Sequence, residues 1–191
     1  MLLLQFRYLL NKITESNDLN DTSLDTVIID LDHTLIETVR INSKNILTGA
    51  RRCYIRPGAR EFIKKLKALN LNVYIYTASR DGYCKRILRN LDPENVIDKV
   101  YTRRHCQLHY ENVLGSYRRK NVRKHCKIEN YVIVDDKKNY TGEENDFVFK
   151  IRRFNYKQND SELEAVYNEI VQITLGNKTK YEAILNYNVA V

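Results

Sequence analysis

Acidic and hydroxyl side chains follow three short apolar segments of this 191-residue chain, at the points where each segment would end as a β-strand. They are Asp30, Asp32 and Thr34 at the end of the segment 26–31, Thr77 and Ser79 after the segment 71–76, and Asp135 and Asp136 after the segment 131–134. Because ligands of parallel α/β sheets bind beyond the carboxyl ends of the strands, we expect these side chains to converge at one edge.

The chemistry available to such a group is metal-dependent phosphoryl transfer. Clustered carboxylates repel one another, and burial raises their pKa values unless a cation neutralises them. Oxygen ligands with an open side for substrate suit Mg²⁺, which also binds phosphate oxygens. Taken singly, each of these residues would be interpreted as a helix cap or a turn residue. Their joint placement at three strand ends favours a site.

The elements that must position these residues alternate between strands and helices. Further apolar runs predict short strands at 96–101 and 147–151, and residues at helical spacing predict helices at 59–69, 83–91 and 161–175. This alternation predicts an α/β fold of the Rossmann type, with a parallel sheet flanked by helices. Residues 36–54 are expected to form an irregular excursion or a hairpin, and the basic stretch 102–127 has no clear assignment.

The pattern predicts one core, at residues 26–175. We expect residues 1–25 to form an N-terminal helix and loop, and residues 176–191 a C-terminal tail. The stretch between Ile36 and Arg56 is short for an inserted cap domain, and no other gap between the motifs is large enough for one either. The sequence therefore predicts an open site without a large cap domain.

The charge and the cysteine content of the chain indicate which partners and which cellular compartment to expect. The chain has 32 basic and 24 acidic residues, a net charge of +8, which favours anionic partners such as phosphoproteins, nucleic acid or acidic membrane. Its longest apolar runs are far shorter than a membrane span, and its first residues lack the basic stretch and the small-residue cleavage site that are typical of a signal peptide. Four cysteines without paired spacing favour a reducing, intracellular compartment.

A zinc site is an alternative use of one part of the chain. The candidate ligands are His105, Cys106, His109, His125 and Cys126. Their spacing fits no compact zinc finger, and they are also interpretable as residues that line strands and loops near a phosphate site.

The segment DLDHTL at 30–35 resembles the DxDxT signature of haloacid-dehalogenase-superfamily phosphatases. Other segments resemble the branch of RNA polymerase II C-terminal-domain phosphatases and NLI-interacting-factor-like phosphatases. They are Arg56-Pro57-Gly58 with Glu61-Phe62, the stretch 76–79 with Tyr83, Arg103 with Cys106 and His109, the stretch 131–136 with Tyr140, and the stretch 160–163. The resemblance runs in consistent order from about residue 26 to residue 173.

The resemblance implies a role for individual residues. Asp30 would be the nucleophile and Asp32 the general acid and base. The catalytic cation would be Lys120, because the local match to the family's K-D-L segment favours it and a compact ammonium is the family's choice. Arg119 is the alternative, because ungapped counting back from the last motif reaches it. The residues implied to contact phosphate are Thr34, Thr77, Ala78, Ser79, Arg103 and Arg119. The metal would rest on Asp30, the backbone carbonyl of Asp32, Asp135 and Asp136.

These features predict a Mg²⁺-dependent phosphoprotein phosphatase for phosphoserine and phosphothreonine, located in the nucleus or cytoplasm. A nucleotide or polynucleotide 3′-phosphatase uses the same motif and would also benefit from a basic surface. A catalytically weak phosphoprotein-binding module is the third alternative. The basic run at 118–124 is interpretable as a solvated helix face or as a docking surface for an acidic partner, including weak or indirect association with nucleic acid. The small size and the Lys-, Asn- and Ile-rich composition hint at a virus-encoded or AT-rich-genome protein.

Overall fold

A computed structural model describes residues 23–40, 51–111, 115–158 and 160–190 of the chain. In chain order its strands are β1 (Thr26–Ile29), β2 (Ile36–Arg40), β3 (Arg51–Ile55), β4 (Asn72–Tyr76), β5 (Lys99–Tyr101), β6 (Gln107–Glu111), β7 (Gly115–Arg119), β8 (Tyr131–Asp135) and β9 (Val148–Lys150). Its α-helices are α1 (Ala59–Ala68), α2 (Asp81–Leu91), α3 (Val122–Cys126), α4 (Glu162–Thr174) and α5 (Lys180–Ala190). Two 3₁₀ helices, Arg103–His105 and Gly142–Phe147, complete the list.

Five of the strands form a parallel sheet in the order β5-β4-β1-β8-β9. The central strand β1 is fully buried, and its residues alternate between two hydrophobic clusters. Val27 and Ile29 belong to the cluster that α1, α2, α4 and α5 cover, whereas Ile28 belongs to the cluster that contains α3. Both faces of the sheet are therefore covered, which explains why β1 consists of β-branched residues throughout. The predicted α/β fold is confirmed.

The segments between the sheet elements form two antiparallel hairpins. Strands β2 and β3 pair from Ile36 opposite Ile55 to Arg40 opposite Arg51. Strands β6 and β7 pair from Gln107 opposite Arg119 onward, within the basic stretch that the sequence left unassigned. The described residues contain no large cap domain in addition to these hairpins, in agreement with the sequence-based expectation.

The C-terminal segment contains α5, which packs on the same core as the rest of the chain. Ala183, Ile184 and Tyr187 are buried, and Asn188 accepts from Lys150 N at 2.9 Å and donates to Val148 O at 2.9 Å. Residues 180–190, assigned above to a tail, thus cover the backbone of the edge strand β9. The helix was not predicted because its apolar residues are not confined to one face.

The boundaries of other elements shift slightly. The strand predicted at 96–101 begins only at Lys99, and the one predicted at 147–151 spans Val148–Lys150. Most of the N-terminal segment expected to form a helix and loop, residues 1–22, lies outside the described residues. Within the described ranges, no helix is long and apolar enough to cross a membrane.

Candidate active site

The first motif begins where β1 ends. Asp30 continues the pairing of β1 with β8, since its backbone N donates to Val134 O at 2.9 Å. The chain then turns, with Leu35 N donating to Leu31 O at 3.0 Å, and Thr34 returns to the sheet edge. There Thr34 Oγ1 accepts a hydrogen bond from Asp136 N at 3.1 Å, which ties the first motif to the end of β8. This loop therefore holds both carboxylate segments at one edge.

A buried ammonium joins these segments. Lys120 Nζ donates to Asp30 Oδ1 and to Asp135 Oδ2, both at 2.6 Å. The exposed fractions are 4% for Lys120, 7% for Asp30 and 2% for Asp135. Tyr140 completes the group, because its hydroxyl donates to Asp135 Oδ2 at 2.9 Å and accepts from Lys120 Nζ at 3.3 Å. One cation thus contacts two carboxylates that are shielded from water.

The acidic side chains around Lys120 outnumber this single ammonium, and their pKa values reflect the imbalance. Burial raises the pKa of Asp30 to about 8, the neighbouring Asp135 adds to the rise, and Lys120 opposes it. Burial also raises the pKa of Asp136 above its ordinary value, again with a contribution from Asp135. Burial alone would lower the pKa of Lys120, but the carboxylates of Asp135 and Asp30 outweigh it, so the pKa of Lys120 is raised. A further cation would therefore stabilise the ionised carboxylates.

Three carboxylates have the geometry to hold that cation. One oxygen each of Asp30, Asp135 and Asp136 lies within 4.8 Å of the others. An all-oxygen ligand set fits Mg²⁺. In the described part of the chain this is the one group of three or more potential His, Cys, Asp or Glu ligands. The residues of the zinc alternative are all described, and they do not form such a group: His105, Cys106, His109, His125 and Cys126.

The side chain of Asp32 lies in a separate ring of hydroxyl groups. Asp32 Oδ2 accepts from Ser79 Oγ at 2.6 Å and from Thr77 Oγ1 at 3.4 Å. Asp32 Oδ1 accepts from Tyr83 OH at 2.6 Å. The carboxylate of Asp32 is therefore fixed in orientation and does not belong to the three-carboxylate group around Lys120.

The loop after β4 supplies these hydroxyls and is fixed from two sides. Thr77 N donates to Tyr101 O at 2.9 Å, and Ser79 N donates to Thr77 Oγ1 at 3.1 Å. Arg103 is bound to the same loop, since its Nε donates to Ala78 O at 2.7 Å and its backbone N to Ser79 O at 2.9 Å. The structure therefore brings Thr77 and Ser79 next to Asp32, whereas Ala78 and Arg103 contact each other.

The two candidate cations of the basic stretch are separated. Lys120 contacts Asp30 and Asp135, whereas Arg119 Nε donates to Tyr117 OH at 2.9 Å. Among the described residues Arg119 makes no hydrogen bond or ion pair with a carboxylate of the site. It lines a neighbouring cavity instead. Consecutive residues of an extended chain point to opposite sides, which explains why only one of the two reaches Asp30.

Two tyrosines of the motif segments, for which the sequence indicated no role, also contact the acidic side chains. Tyr83 binds Asp32 from the first turns of α2, and Tyr140 binds Asp135 and Lys120. Their signal in the sequence was a fixed distance from the acidic and hydroxyl residues, but that distance does not reveal which atom a tyrosine hydroxyl will meet. Only the fold shows that both hydroxyls face the site.

The fully buried guanidinium of Arg56 supports the loop that carries Thr34. Arg56 donates through Nε and Nη2 to the two carboxylate oxygens of Asp160, at 2.9 and 2.6 Å. Its Nη1 donates to Thr34 O at 2.9 Å, and its Nη2 donates to Arg152 O at 3.0 Å. This ion pair therefore joins the loop of the first motif to the segment before α4. Arg56 and Asp160, which both belong to the motif segments, therefore have a structural role.

This chain is similar to one protein family and to several solved structures. Residues 25–180 match the family model described as NLI interacting factor-like phosphatase. No curated protein matches the chain significantly. The matching solved structures include fission yeast RNA polymerase II CTD phosphatase Fcp1 bound to beryllium fluoride, with 17% identity and a TM-score of 0.48 over 94% of this chain and 57% of that chain. They also include Fcp1 described as an essential RNA polymerase II CTD phosphatase, with 19% identity and a TM-score of 0.47 over 94% and 56%.

A third similar structure is 3-deoxy-D-manno-octulosonate 8-phosphate phosphatase from Moraxella catarrhalis in complex with magnesium, phosphate and KDO. It has 14% identity and a TM-score of 0.38, over 61% of each chain. This chain spans less than two thirds of the length of these structures. The family model, by contrast, covers most of this chain and includes every residue of the candidate site. The chain therefore belongs to the NLI interacting factor-like phosphatase family.

Proposed function

We propose that this protein is a Mg²⁺-dependent phosphatase that removes phosphate from phosphoserine or phosphothreonine of a protein, through an aspartyl-phosphate on Asp30. The observation that carries the proposal is the buried contact of Lys120 with Asp30 and Asp135, beside Asp136. Phosphoryl transfer is catalysed mainly by positioning and by charge that stabilises the transferring group. A buried carboxylate with an ammonium and a cation-binding group beside it meets both needs.

In the first step an oxygen of Asp30 attacks phosphorus, and the bond between phosphorus and the substrate oxygen breaks. Asp32 donates a proton to that leaving oxygen. In the second step Asp32 takes a proton from water, the water oxygen attacks the same phosphorus, and the bond from phosphorus to Asp30 breaks. Inorganic phosphate leaves and both carboxylates return to their starting state. Two easier displacements replace one difficult one.

The remaining residues would hold the transferring phosphoryl group and offset its negative charge. The ammonium of Lys120 contacts Asp30 and can donate to the transferring group. Thr77 Oγ1 donates to Asp32 Oδ2 at 3.4 Å and would hold an oxygen of the transferring group. Asp30, Asp135, Asp136 and the backbone carbonyl of Asp32 would hold Mg²⁺, which when bound would offset the charge of the carboxylates and the phosphate. The hydroxyl ring around Asp32 would keep its carboxylate oriented toward the leaving oxygen.

The substrate class follows from access and charge. The described residues include no large cap domain, so the site is open enough for a phosphorylated side chain on another protein. The net charge of +8 favours an anionic partner. Membership of this family supports a phosphorylated substrate, and the resemblance to the polymerase-tail phosphatases favours serine and threonine phosphates. An intracellular location, in the nucleus or the cytoplasm, is part of this proposal.

The test is turnover of p-nitrophenyl phosphate in Mg²⁺ and in EDTA. Asp30→Asn should lower kcat by about a thousandfold or more, because nothing else present replaces the nucleophile. The matched control is Glu94→Gln, which removes an exposed carboxylate paired with Lys64 and should behave as wild type. Equal turnover by Asp30→Asn and wild type would overturn the nucleophile, and equal turnover in EDTA would overturn the metal.

Substrate class is tested separately, with a phosphoserine peptide, a small sugar phosphate and a 3′-phosphorylated oligonucleotide. We expect the peptide to have the highest kcat/KM. Hydrolysis of the oligonucleotide with the peptide ignored would assign the protein to the 3′-phosphatases instead. Efficient hydrolysis of the sugar phosphate alone would contradict the open site.

A further inference from the structure

A polar cavity lies beside the hairpin of β6 and β7, outside the three-carboxylate group. Its volume is about 500 Å³, and its lining includes Tyr117, Arg119, Lys138, Asn139 and Asn145. None of the described lining residues is acidic. The cavity therefore combines two cations with neutral polar groups, and nothing in the catalytic scheme uses it.

One residue places this cavity next to the catalytic centre. Tyr140 belongs to its lining, while the hydroxyl of Tyr140 donates to Asp135 in the three-carboxylate group. On the hairpin side, Arg119 faces the cavity and the next residue, Lys120, faces Asp30. A substrate that reaches Asp30 therefore passes close to a second positive region.

The arginine of the cavity is held in place by aromatic neighbours. Its Nε donates to Tyr117 OH at 2.9 Å, and its guanidinium lies 5.3 Å from the centre of the Tyr117 ring. That ring stacks in turn on His109, with ring centres 5.4 Å apart and an angle of 13° between the planes. The two terminal nitrogens of Arg119 make no hydrogen bond with another described residue. An oriented guanidinium with open donors suits a tetrahedral oxyanion.

The lysine of the cavity adds a second positive charge. Lys138 is exposed, and its ammonium makes no hydrogen bond or ion pair with another described residue. Partial burial lowers the pKa of Lys138, the carboxylate of Asp146 opposes this shift, and Lys150 adds to it to a smaller extent. Together with Arg119 it leaves an excess of positive charge at the cavity.

We propose that this cavity binds a second phosphate group of the substrate, so that the protein prefers chains that carry two phosphorylated residues. A phosphomonoester carries nearly two negative charges and three acceptor oxygens, which match one guanidinium fork and one ammonium. A carboxylate brings one charge and two oxygens and would satisfy only one of the two cations. The identity of the substrate rests on the proposed function, but the anion site rests on the cavity alone.

The test measures binding and uses the full chain with Asp30→Asn, so that no peptide is hydrolysed. Fluorescent peptides with one phosphoserine are compared with peptides that carry two at a series of separations. We expect the best doubly phosphorylated peptide to bind roughly tenfold more tightly than its singly phosphorylated parent, from the added charge-assisted hydrogen bonds. Addition of Arg119→Gln and Lys138→Gln should remove most of this difference.

The matched control is Arg123→Gln with Lys124→Gln, which removes the same charge from exposed positions of the same basic run. It should retain the preference for two phosphates. Equal affinity for both peptides at every separation would overturn the proposal, and so would an equal loss in both charge variants, which would indicate a diffuse basic surface. If Arg119→Gln with Lys138→Gln does not fold, the NMR signal of Arg119 Nε–H should shift on titration with the doubly but not the singly phosphorylated peptide.

The two proposals fail separately. A preference for two phosphates in a protein without turnover of p-nitrophenyl phosphate would leave the anion site standing and overturn the enzyme. Turnover of p-nitrophenyl phosphate without a preference for two phosphates would support the enzyme and overturn the anion site.

Discussion

Lys120 Nζ donates to Asp30 Oδ1 at 2.6 Å, although the two residues stand 90 positions apart in the chain. Both side chains are almost fully shielded from water. The same nitrogen contacts Asp135 at 2.6 Å, so one positive charge is shared by two carboxylates. A buried group of this kind is sensitive to the removal of any member, because the remaining charge is left without a partner.

Lys120→Met should therefore destabilise the protein. Two buried carboxylates would lose their cation, and we expect the free energy of unfolding to fall by about 3–5 kcal/mol. The measurement is urea denaturation in EDTA. The matched control, Lys124→Met, changes an exposed lysine of the same basic run and should stay within about 0.5 kcal/mol of wild type. Similar stability for both variants would contradict the buried charge group.

Mg²⁺ should stabilise the protein more at higher pH. Burial raises the pKa of Asp30 from 3.8 to about 8 in the folded state, with Lys120 opposing and Asp135 adding to the rise. The folded state then holds this proton more tightly than the unfolded chain. The contribution to stability is full below pH 3.8 and is lost as the pH rises through 8. Because Mg²⁺ binds the deprotonated carboxylate, it competes with the proton, and its effect grows as the proton leaves.

The measurement for this pH dependence is the shift in Tm caused by Mg²⁺, taken at several pH values between about 6 and 8. We expect the shift to increase over this range in wild type and to change much less in Asp30→Asn. A shift that is constant, or that is larger at the acidic end, would contradict the assigned pKa direction.

Tyr83→Phe should slow reactions that need a protonated leaving group. The variant removes the hydroxyl that donates to Asp32 Oδ1 at 2.6 Å and so loosens the proposed general acid. We expect kcat to fall on the order of tenfold for a phosphoserine peptide, whose alkoxide must be protonated, and less for p-nitrophenyl phosphate. The control is Tyr74→Phe, a buried tyrosine of β4 that makes no hydrogen bond to Asp32. Equal losses on both substrates would mean that Tyr83 acts on the fold and not on Asp32.

The sheet and its acidic edge were predictable because they depend on local patterns. Short apolar runs ended at Asp30, Thr77 and Asp135, and parallel strands bring their carboxyl ends together. The role of Arg119 was not predictable in the same way. The side to which the Arg119 side chain points depends on the alternation of side chains along β7 and on the pairing of β7 with β6. A run of basic residues reveals neither.

The C-terminal helix shows a second limit. A helix is recognised from sequence by apolar residues on one face, but α5 has tyrosines and aliphatic residues around its circumference. Its position is fixed by Tyr187, whose ring meets Phe149 edge-on with ring centres 5.6 Å apart. The hydroxyl of Tyr187 donates to Glu162 at 2.6 Å. These contacts come from distant segments, so the sequence of the tail alone did not reveal them.

Tyr187→Ala should therefore be costly although it lies near the C-terminal end of the described residues. Loss of a buried aromatic ring should lower the free energy of unfolding by about 3 kcal/mol. Val189→Ala, at a position that is 68% exposed on the same helix, should change it by less than about 0.5 kcal/mol. Denaturation with urea compares the two. A small effect of Tyr187→Ala would show that α5 does not belong to the core.

The central claim is that phosphate is transferred to Asp30, and the most direct measurement is the mass of the acid-quenched protein. Asp32→Asn is the best variant for this purpose. p-Nitrophenolate leaves without protonation, whereas hydrolysis of the intermediate still needs the base that the variant lacks. Mixed with p-nitrophenyl phosphate and Mg²⁺, this variant should gain the mass of one phosphoryl group, and peptide mapping should locate it on Asp30. The double variant with Asp30→Asn should gain none. A phosphoryl group found on another residue, or turnover by wild type with no adduct in Asp32→Asn at any time, would contradict the account.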